Sequence, residues 1–314
     1  MNISLIGLGA IGASYLAQIQ DRIPDATLRV IADGDRADRI EREGVVVNGH
    51  PHHFDVTRPG NQVKPADLLL FSVKENGLDE AIEQAAGQVD GHTIILSLLN
   101  GITSEQRIRN AYGSGPHILL SLAVAIDAVR HGREVTYTSL GHISFGEAHN
   151  EEPYSDAVRL VRDLFERAAI EYQIPEDMRR ALWWKYMVNS GINQVSAVLE
   201  APYGVFQREE APARQLMLET MREVIAVANA AGVPLGEQDL TDWLAMLDRL
   251  GPRSRTSMAQ DVAAHRPTEV GMFAGSLVPM GQKLGVPTPI ARTLLALLRA
   301  KEDVWAAAPS AEAR

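Results

Sequence analysis

The chain has 314 residues, of which 46% are hydrophobic and 22% charged, with a formal net charge of -10. That length suits two domains, each with its own core, and the acidic balance argues against nucleic acid as a partner. There is no cysteine, which excludes disulfides, thiolate metal sites and cysteine nucleophiles; the nine histidines fall into no ligand spacing with acids, so no metal is expected. The apolar start, Met1 to Ala17, lacks the basic leader of a signal peptide. No apolar run reaches the roughly 18–20 residues of a membrane span, so a cytoplasmic protein with no membrane partner is expected.

In chain order, Ile3 to Ile6 reads as a strand ending at Gly7, Ala10 to Gln20 as a helix, and Thr27 to Ala32 as a second strand closed by Asp33-Gly34. Val45 to Val56, with Asn48-Gly49 inside it, reads as a β-hairpin. Leu68 to Val73 and Thr93 to Leu98 are continuous apolar runs, as parallel strands buried on both faces require, and Leu78 to Ala86 between them has helical spacing. Thr136 to Phe145 reads as two short strands around Gly141, and from Asp156 the pattern is helical almost to the end. The small, polar stretch Ala306 to Arg314 reads as a frayed tail. This order predicts an α/β Rossmann-type N-terminal domain with a parallel sheet over residues 1–174, followed by an all-α C-terminal domain over residues 175–314.

Gly7-Leu8-Gly9-Ala10-Ile11-Gly12 joins the first strand to the first helix. The first glycine permits a tight turn, the second lets backbone approach a pyrophosphate, and the third lets the helix pack on the strand. The helix N-terminus then offers free N–H groups to phosphate. Asp33, at the end of the second strand, stands where an acid binds the ribose hydroxyls of NAD(H); the alternative is that it only shapes its turn. Its charge opposes the 2′-phosphate of NADP(H), for which Arg36 and Arg39 just beyond would compensate. Lys74 and Asn100-Gly101 follow two later strands, at the carboxyl ends where open sheets bind ligands; a solvated loop lysine is the other reading of Lys74.

In the helical half, Ala181 to Leu199 is apolar around most of the wheel, yet Lys185, Asn189 and Asn193 form one polar stripe at one-turn spacing. A buried lysine is costly unless paired or employed, and burial brings its pKa toward neutrality, where it serves as a general acid. The alternative is a lysine that snorkels to solvent. Gly191 marks either a break in the helix or a close packing contact. Further on, Ser257 and Asp261 lie one turn apart, and Glu269 follows Pro267 in what reads as the first turn of a new helix.

These residues resemble the ketopantoate reductase (2-dehydropantoate 2-reductase) family over nearly the whole chain. The most specific element is Lys185, Asn189 and Asn193 followed by Ser257-Met258, Asp261 and Glu269. The early glycine turn, Val73-Lys74, Leu99-Asn100-Gly101 and Gly285-Val286-Pro287-Thr288-Pro289 fall in the expected order. The resemblance implies an NADP(H)-dependent oxidoreductase, with its active site between the two domains, that reduces ketopantoate in pantothenate and coenzyme A biosynthesis. Asp33, where the family usually has an arginine, admits NAD(H) instead. By the same resemblance, Lys185 is the general acid and Glu269 lies near it, the cofactor and the substrate. Asn100, Asn189, Asn193 and Ser257 hold the substrate, Asn100 also positions the nicotinamide, and Lys74 lies beside the cofactor. Two more departures, Ser254 and Ala201-Pro202-Tyr203-Gly204, fall where relatives use substrate-binding asparagines. A reductase of another small 2-oxo acid (β-hydroxyacid dehydrogenase-like) and a non-catalytic dinucleotide sensor are the rival readings, and the apolar helical half is compatible with a homodimer.

Overall fold

A computed structural model describes residues 1–307; the tail expected from Ala306 lies, from residue 308 onward, outside the described residues. The chain divides into two compact units, Met1–Arg179 and Arg180–Arg314.

The first unit runs β1 (Asn2–Ile6), α1 (Ala10–Arg22), β2 (Thr27–Ile31), α2 (Gly34–Glu43), β3 (Val45–Val47), β4 (His50–His52), β5 (Asp55–Thr57), β6 (Leu68–Phe71), α3 (Leu78–Ala85), β7 (Ile94–Ser97), α4 (Ser104–Tyr112) and β8 (His117–Val124). It continues through β9 (Val129–His131), β10 (Glu134–Thr136), β11 (His142–Gly146), α5 (Asp156–Arg167) and β12 (Tyr172–Gln173). Eight strands form one sheet in the order β12-β11-β8-β7-β6-β1-β2-β5. All neighbours in it are parallel except β8 and β11. The apolar runs dictate this arrangement: every residue of β1, β6 and β7 is buried, as strands covered on both faces must be. Helices α1 and α5 cover one of those faces, that of Ile3, Leu5, Leu68, Leu70, Ile94 and Leu96, through Leu16, Ile19, Val161 and Phe165.

A second sheet, β4-β3-β10-β9, contains the expected hairpin. Asn48 (φ 47°) and Gly49 (φ 84°) make its two-residue turn, where both central positions need positive φ. The strands expected on either side of Gly141 do not pair with each other. β10 joins the second sheet, beside β3 and β9, and β11 joins the first, against β8. Asp127 fixes the crossing by accepting hydrogen bonds from the amides of Thr138 (2.9 Å) and Ser139 (2.8 Å).

The second unit is helical: α6 (Met178–Leu199, which starts two residues before the division), α7 (Tyr203–Gln207), α8 (Pro212–Ala230), α9 (Glu237–Leu247), α10 (Ser257–Ala263), α11 (Ala274–Leu284) and α12 (Pro289–Ala307). Helix α6 is unbroken, and Gly191 is a packing contact: a Cβ there would lie 2.5 Å from Cγ of Met221 on α8. Among the described residues, no helix is long and apolar enough to cross a membrane.

Candidate functional site

The glycine turn is built as its spacing predicts. Gly7 has φ 98°, and a Cβ on it would come within 2.5 Å of the Ser72 backbone; one on Gly12 would come within 2.5 Å of the Gly7 carbonyl oxygen. Both positions therefore hold β1, α1 and the end of β6 together. Gly9 differs: a Cβ there meets nothing in the protein closer than 3.8 Å. The space it leaves is open, and Gly9 caps α1 with no side chain covering the helix N-terminus. The first-turn N–H groups, from Ala10, Ile11 and Gly12, are thus available to an anion.

Beside this turn lies a groove of about 580 Å³, lined among others by Gly7, Gly9, Asp33, Arg36, Lys74 and Ala81. Its volume is in the range of small-molecule and cofactor sites. The end of β2 delivers Asp33 and the end of β6 delivers Lys74, so the carboxyl-end rule for parallel sheets puts them on one groove. Asp33 also caps α2, accepting a 2.8 Å hydrogen bond from the Gly34 amide, and its side chain is exposed. Asn100 is half-buried in the segment between β7 and α4 and is not part of this lining. Beneath that segment is a buried network that the sequence reading did not include. Ser97 Oγ donates to Ser104 Oγ (2.8 Å), which donates to Glu105 Oε2 (2.8 Å), while Ser121 Oγ donates to the Ser97 carbonyl (2.7 Å). Burial pushes the Glu105 carboxyl above the usual carboxylate range.

In the second unit the polar stripe is formed on α6. Lys185 and Asn189 are half-buried, and Asn193 is 7% exposed. Desolvation lowers the Lys185 ammonium from 10.5 to about 8, against the opposing pull of the Glu269 carboxylate. Glu269 is not in a helix. Helix α10 ends at Ala263, His265 takes a left-handed conformation (φ 50°), and α11 begins only at Ala274. Pro267 explains the gap, because it lacks an N–H and disfavours helical geometry at Arg266. Two fully buried side chains fasten this non-helical segment to α6. Tyr186 Oη donates to the Phe273 carbonyl (2.7 Å), and Gln194 Oε1 accepts from the Ala274 amide (3.1 Å). The start of α10 is fastened similarly, by a 2.6 Å hydrogen bond between Ser196 Oγ and Thr256 Oγ1. Ser257, next to Thr256, is exposed at the first position of α10. Tyr203 and Ser254 are brought together: the Tyr203 amide donates to the Ser254 carbonyl (2.9 Å). Tyr186, Gln194 and Ser196 were not singled out in the sequence; the available signal was that Gln194 and Ser196 are polar residues within a helix apolar around most of its wheel.

A doubly wound sheet, an open glycine turn and a cofactor-sized groove define a protein of the dinucleotide-binding class. Residues 3–150 match the family described as ketopantoate reductase PanE/ApbA, and residues 177–302 match its C-terminal counterpart, so the chain belongs to the ketopantoate reductase family. It is 27% identical to the 2-dehydropantoate 2-reductase of Streptococcus pyogenes serotype M6 over 312 residues, 97% of this chain and 99% of that protein. Among solved structures it resembles a PanE/ApbA family ketopantoate reductase from Ralstonia eutropha JMP134, at 25% identity and TM-score 0.82, covering 98% and 100% of the two chains. It shares its fold with a D-mandelate dehydrogenase solved with NADH and anilino(oxo)acetate, at 20% identity and TM-score 0.85, with the same coverage.

Proposed function

We propose that this enzyme reduces the ketone of 2-dehydropantoate to the alcohol of pantoate, with Lys185 as general acid. The observation that carries the proposal is a lysine on a largely buried helix whose ammonium is pushed down to about 8 beside the Glu269 carboxylate. Near pH 7 such a group is mostly protonated yet gives up its proton more readily than an exposed lysine, as proton donation to a forming alkoxide needs. The dinucleotide, held at Gly7 to Gly12, Asp33 and Lys74, supplies the hydride when bound. Lys185 gives its proton to the substrate oxygen and is reprotonated from solvent, while Glu269 keeps the ammonium populated. Asn189, Asn193 and Ser257 orient the substrate, and Asn100 positions the reacting groups. In this reading residues 1–174 bind the dinucleotide, residues 175–314 handle the substrate, and the product feeds pantothenate synthesis.

Turnover of 2-dehydropantoate with NADPH and NADH side by side tests the reading. Oxidation of either cofactor supports it, whereas tight cofactor binding without turnover sends the search to other 2-oxo acids. That second reading has its own observation, the hydrogen-bonded pair Tyr203 and Ser254, which replaces the expected asparagines with an aromatic ring and a shorter hydroxyl.

A further inference from the structure

Glu269 lies in the stretch between Ala263 and Ala274, where no helix holds it, yet its carboxylate acts on the Lys185 ammonium. The segment is fixed from outside, by the last turns of α12. A single carboxylate oxygen there, Glu302 Oε1, accepts from both the Thr268 amide (2.7 Å) and the Thr268 Oγ1 hydroxyl (2.6 Å). One turn further along α12, Trp305 stacks on His265, with ring centroids 5.2 Å apart and planes inclined by 13°. We propose that Glu302, with Trp305, is a positioning residue for the reduction: it holds this segment so that the Glu269 carboxylate stays beside Lys185. The inference rests on the reading of Lys185 and Glu269 given above.

The segment needs such a hold because it cannot supply its own. In a continued helix the Thr268 amide would donate to the Ala264 carbonyl, but the left-handed His265 and the ring of Pro267 take the chain out of that geometry. Glu302 supplies the missing acceptor, and a carboxylate makes a stronger bond to an amide than a neutral oxygen does. Two bonds to one oxygen fix both the peptide and the side chain of Thr268, one trans peptide unit, about 3.8 Å, before the Cα of Glu269. His265 takes φ 50°, which a side chain disfavours, and the stack on Trp305 holds it there. On the other side of Glu269, its own carbonyl accepts from the Met272 amide (3.0 Å), and the bonds of Tyr186 and Gln194 to Phe273 and Ala274 follow. Glu269 is thus bracketed by α12 before it and α6 after it. Lys301, next to Glu302, reaches the other partner: its Nζ donates to Glu200 Oε1 (2.6 Å) and to the Val198 carbonyl (3.4 Å) at the end of α6. Helix α12 is itself anchored at its start, where Glu223 of α8 accepts from the Ile290 and Ala291 amides (2.7 and 2.9 Å). Consecutive residues of one anchored helix therefore grip the helix that carries Lys185 and the segment that carries Glu269.

The lysines of the chain are Lys64, Lys74, Lys185, Lys283 and Lys301, few enough for NMR of isotope-labelled lysine to follow each ammonium through its titration, with Lys185→Met assigning the signal. This readout needs no turnover. Glu302→Ala should lower the pH at which Lys185 titrates, in the direction that Glu269→Gln lowers it. It should also reduce kcat for 2-dehydropantoate by about 10- to 100-fold, the scale of a small misplacement in a reacting geometry. Glu302→Gln keeps an acceptor oxygen for Thr268 and should restore most of both. His265→Gly accepts the left-handed turn but loses the ring stack, so it should move Lys185 the same way by a smaller amount. A folded Glu302→Ala variant with a lower melting temperature but the parental Lys185 titration overturns the proposal and leaves Glu302 a structural residue. Where Glu302→Ala does not fold, a parental titration in His265→Gly overturns it equally. If Glu269→Gln lowers the Lys185 titration and the other variants do not, only this inference falls; if Glu269→Gln leaves it unmoved, the pairing of Lys185 with Glu269 falls as well.

Discussion

The carboxylate of Glu269 opposes the desolvation of Lys185, so two residues from a helix and a non-helical segment jointly fix one proton affinity near 8. The active form of a proton donor is the ammonium, present below that value. The rate of ketone reduction is therefore expected to fall as pH rises through about 8. Glu269→Gln removes the stabilising charge, so this limb should move to lower pH; an unmoved limb in the pH–kcat profile would separate Glu269 from Lys185.

Replacing Lys185 separates chemistry from folding. Lys185→Met should lower kcat by about 10²- to 10⁴-fold, the usual share of a general acid. Because the fold lowers this lysine's pKa, the ammonium form costs stability below about 8, and that cost fades as pH rises toward the unfolded value of 10.5. Lys185→Met is thus expected to hold or raise the melting temperature at pH 7. A lower melting temperature together with lost activity would point to a structural lysine.

The glycine turn offers a cleaner contrast. Gly9→Ala meets no protein atom closer than 3.8 Å, so it should fold normally and lose dinucleotide affinity. Gly12→Ala drives a methyl group to 2.5 Å from the Gly7 carbonyl and should destabilise the chain by about 1–3 kcal/mol. Thermal melts and NADPH titrations on both variants check the pair; normal binding by Gly9→Ala would show that the open space is not the cofactor's.

Glu105 carries a stability prediction. Glu105→Ala leaves Ser104 Oγ and the Ser121 amide without this buried acceptor, and should cost about 1–3 kcal/mol. Glu105→Gln keeps an acceptor and removes the group that burial disfavours in its charged form. A raised carboxyl pKa stabilises the fold at low pH and loses that contribution as pH rises through the unfolded and then the folded value. The glutamine variant should therefore melt at or above the parent temperature at pH 7, and denaturation curves at pH 5 and pH 8 measure the difference.

Much of the first unit was legible because its signals are local. A strand buried on both faces is an unbroken apolar run, as in Leu68 to Phe71, and a turn with two positive φ angles asks for Asn48-Gly49. Lys185, Asn189 and Asn193 were legible for the same reason, since helical periodicity puts them on one face. What escaped was long-range. Nothing near Thr136 to Phe145 says that its two strands belong to different sheets, and nothing in Arg130-His131-Gly132-Arg133 says that it faces α2. Glu269 was expected in the first turn of a helix begun near Pro267; it lies instead in the non-helical stretch between Ala263 and Ala274, and nothing local marked the left-handed His265 that follows α10.

The buried amide of Gln194 grips the Ala274 N–H at the start of α11, and Tyr186 grips Phe273 one residue earlier. Helix α6 and the segment bearing Glu269 must then open as one cooperative unit, since neither can leave without stranding a buried donor or acceptor. In hydrogen exchange, the Ala274 amide should accordingly be among the slowest in the second unit, exchanging with the interior of α6 instead of with the frayed first turn of an ordinary helix. A single backbone proton would thereby report whether Lys185 and its carboxylate neighbour are still held together.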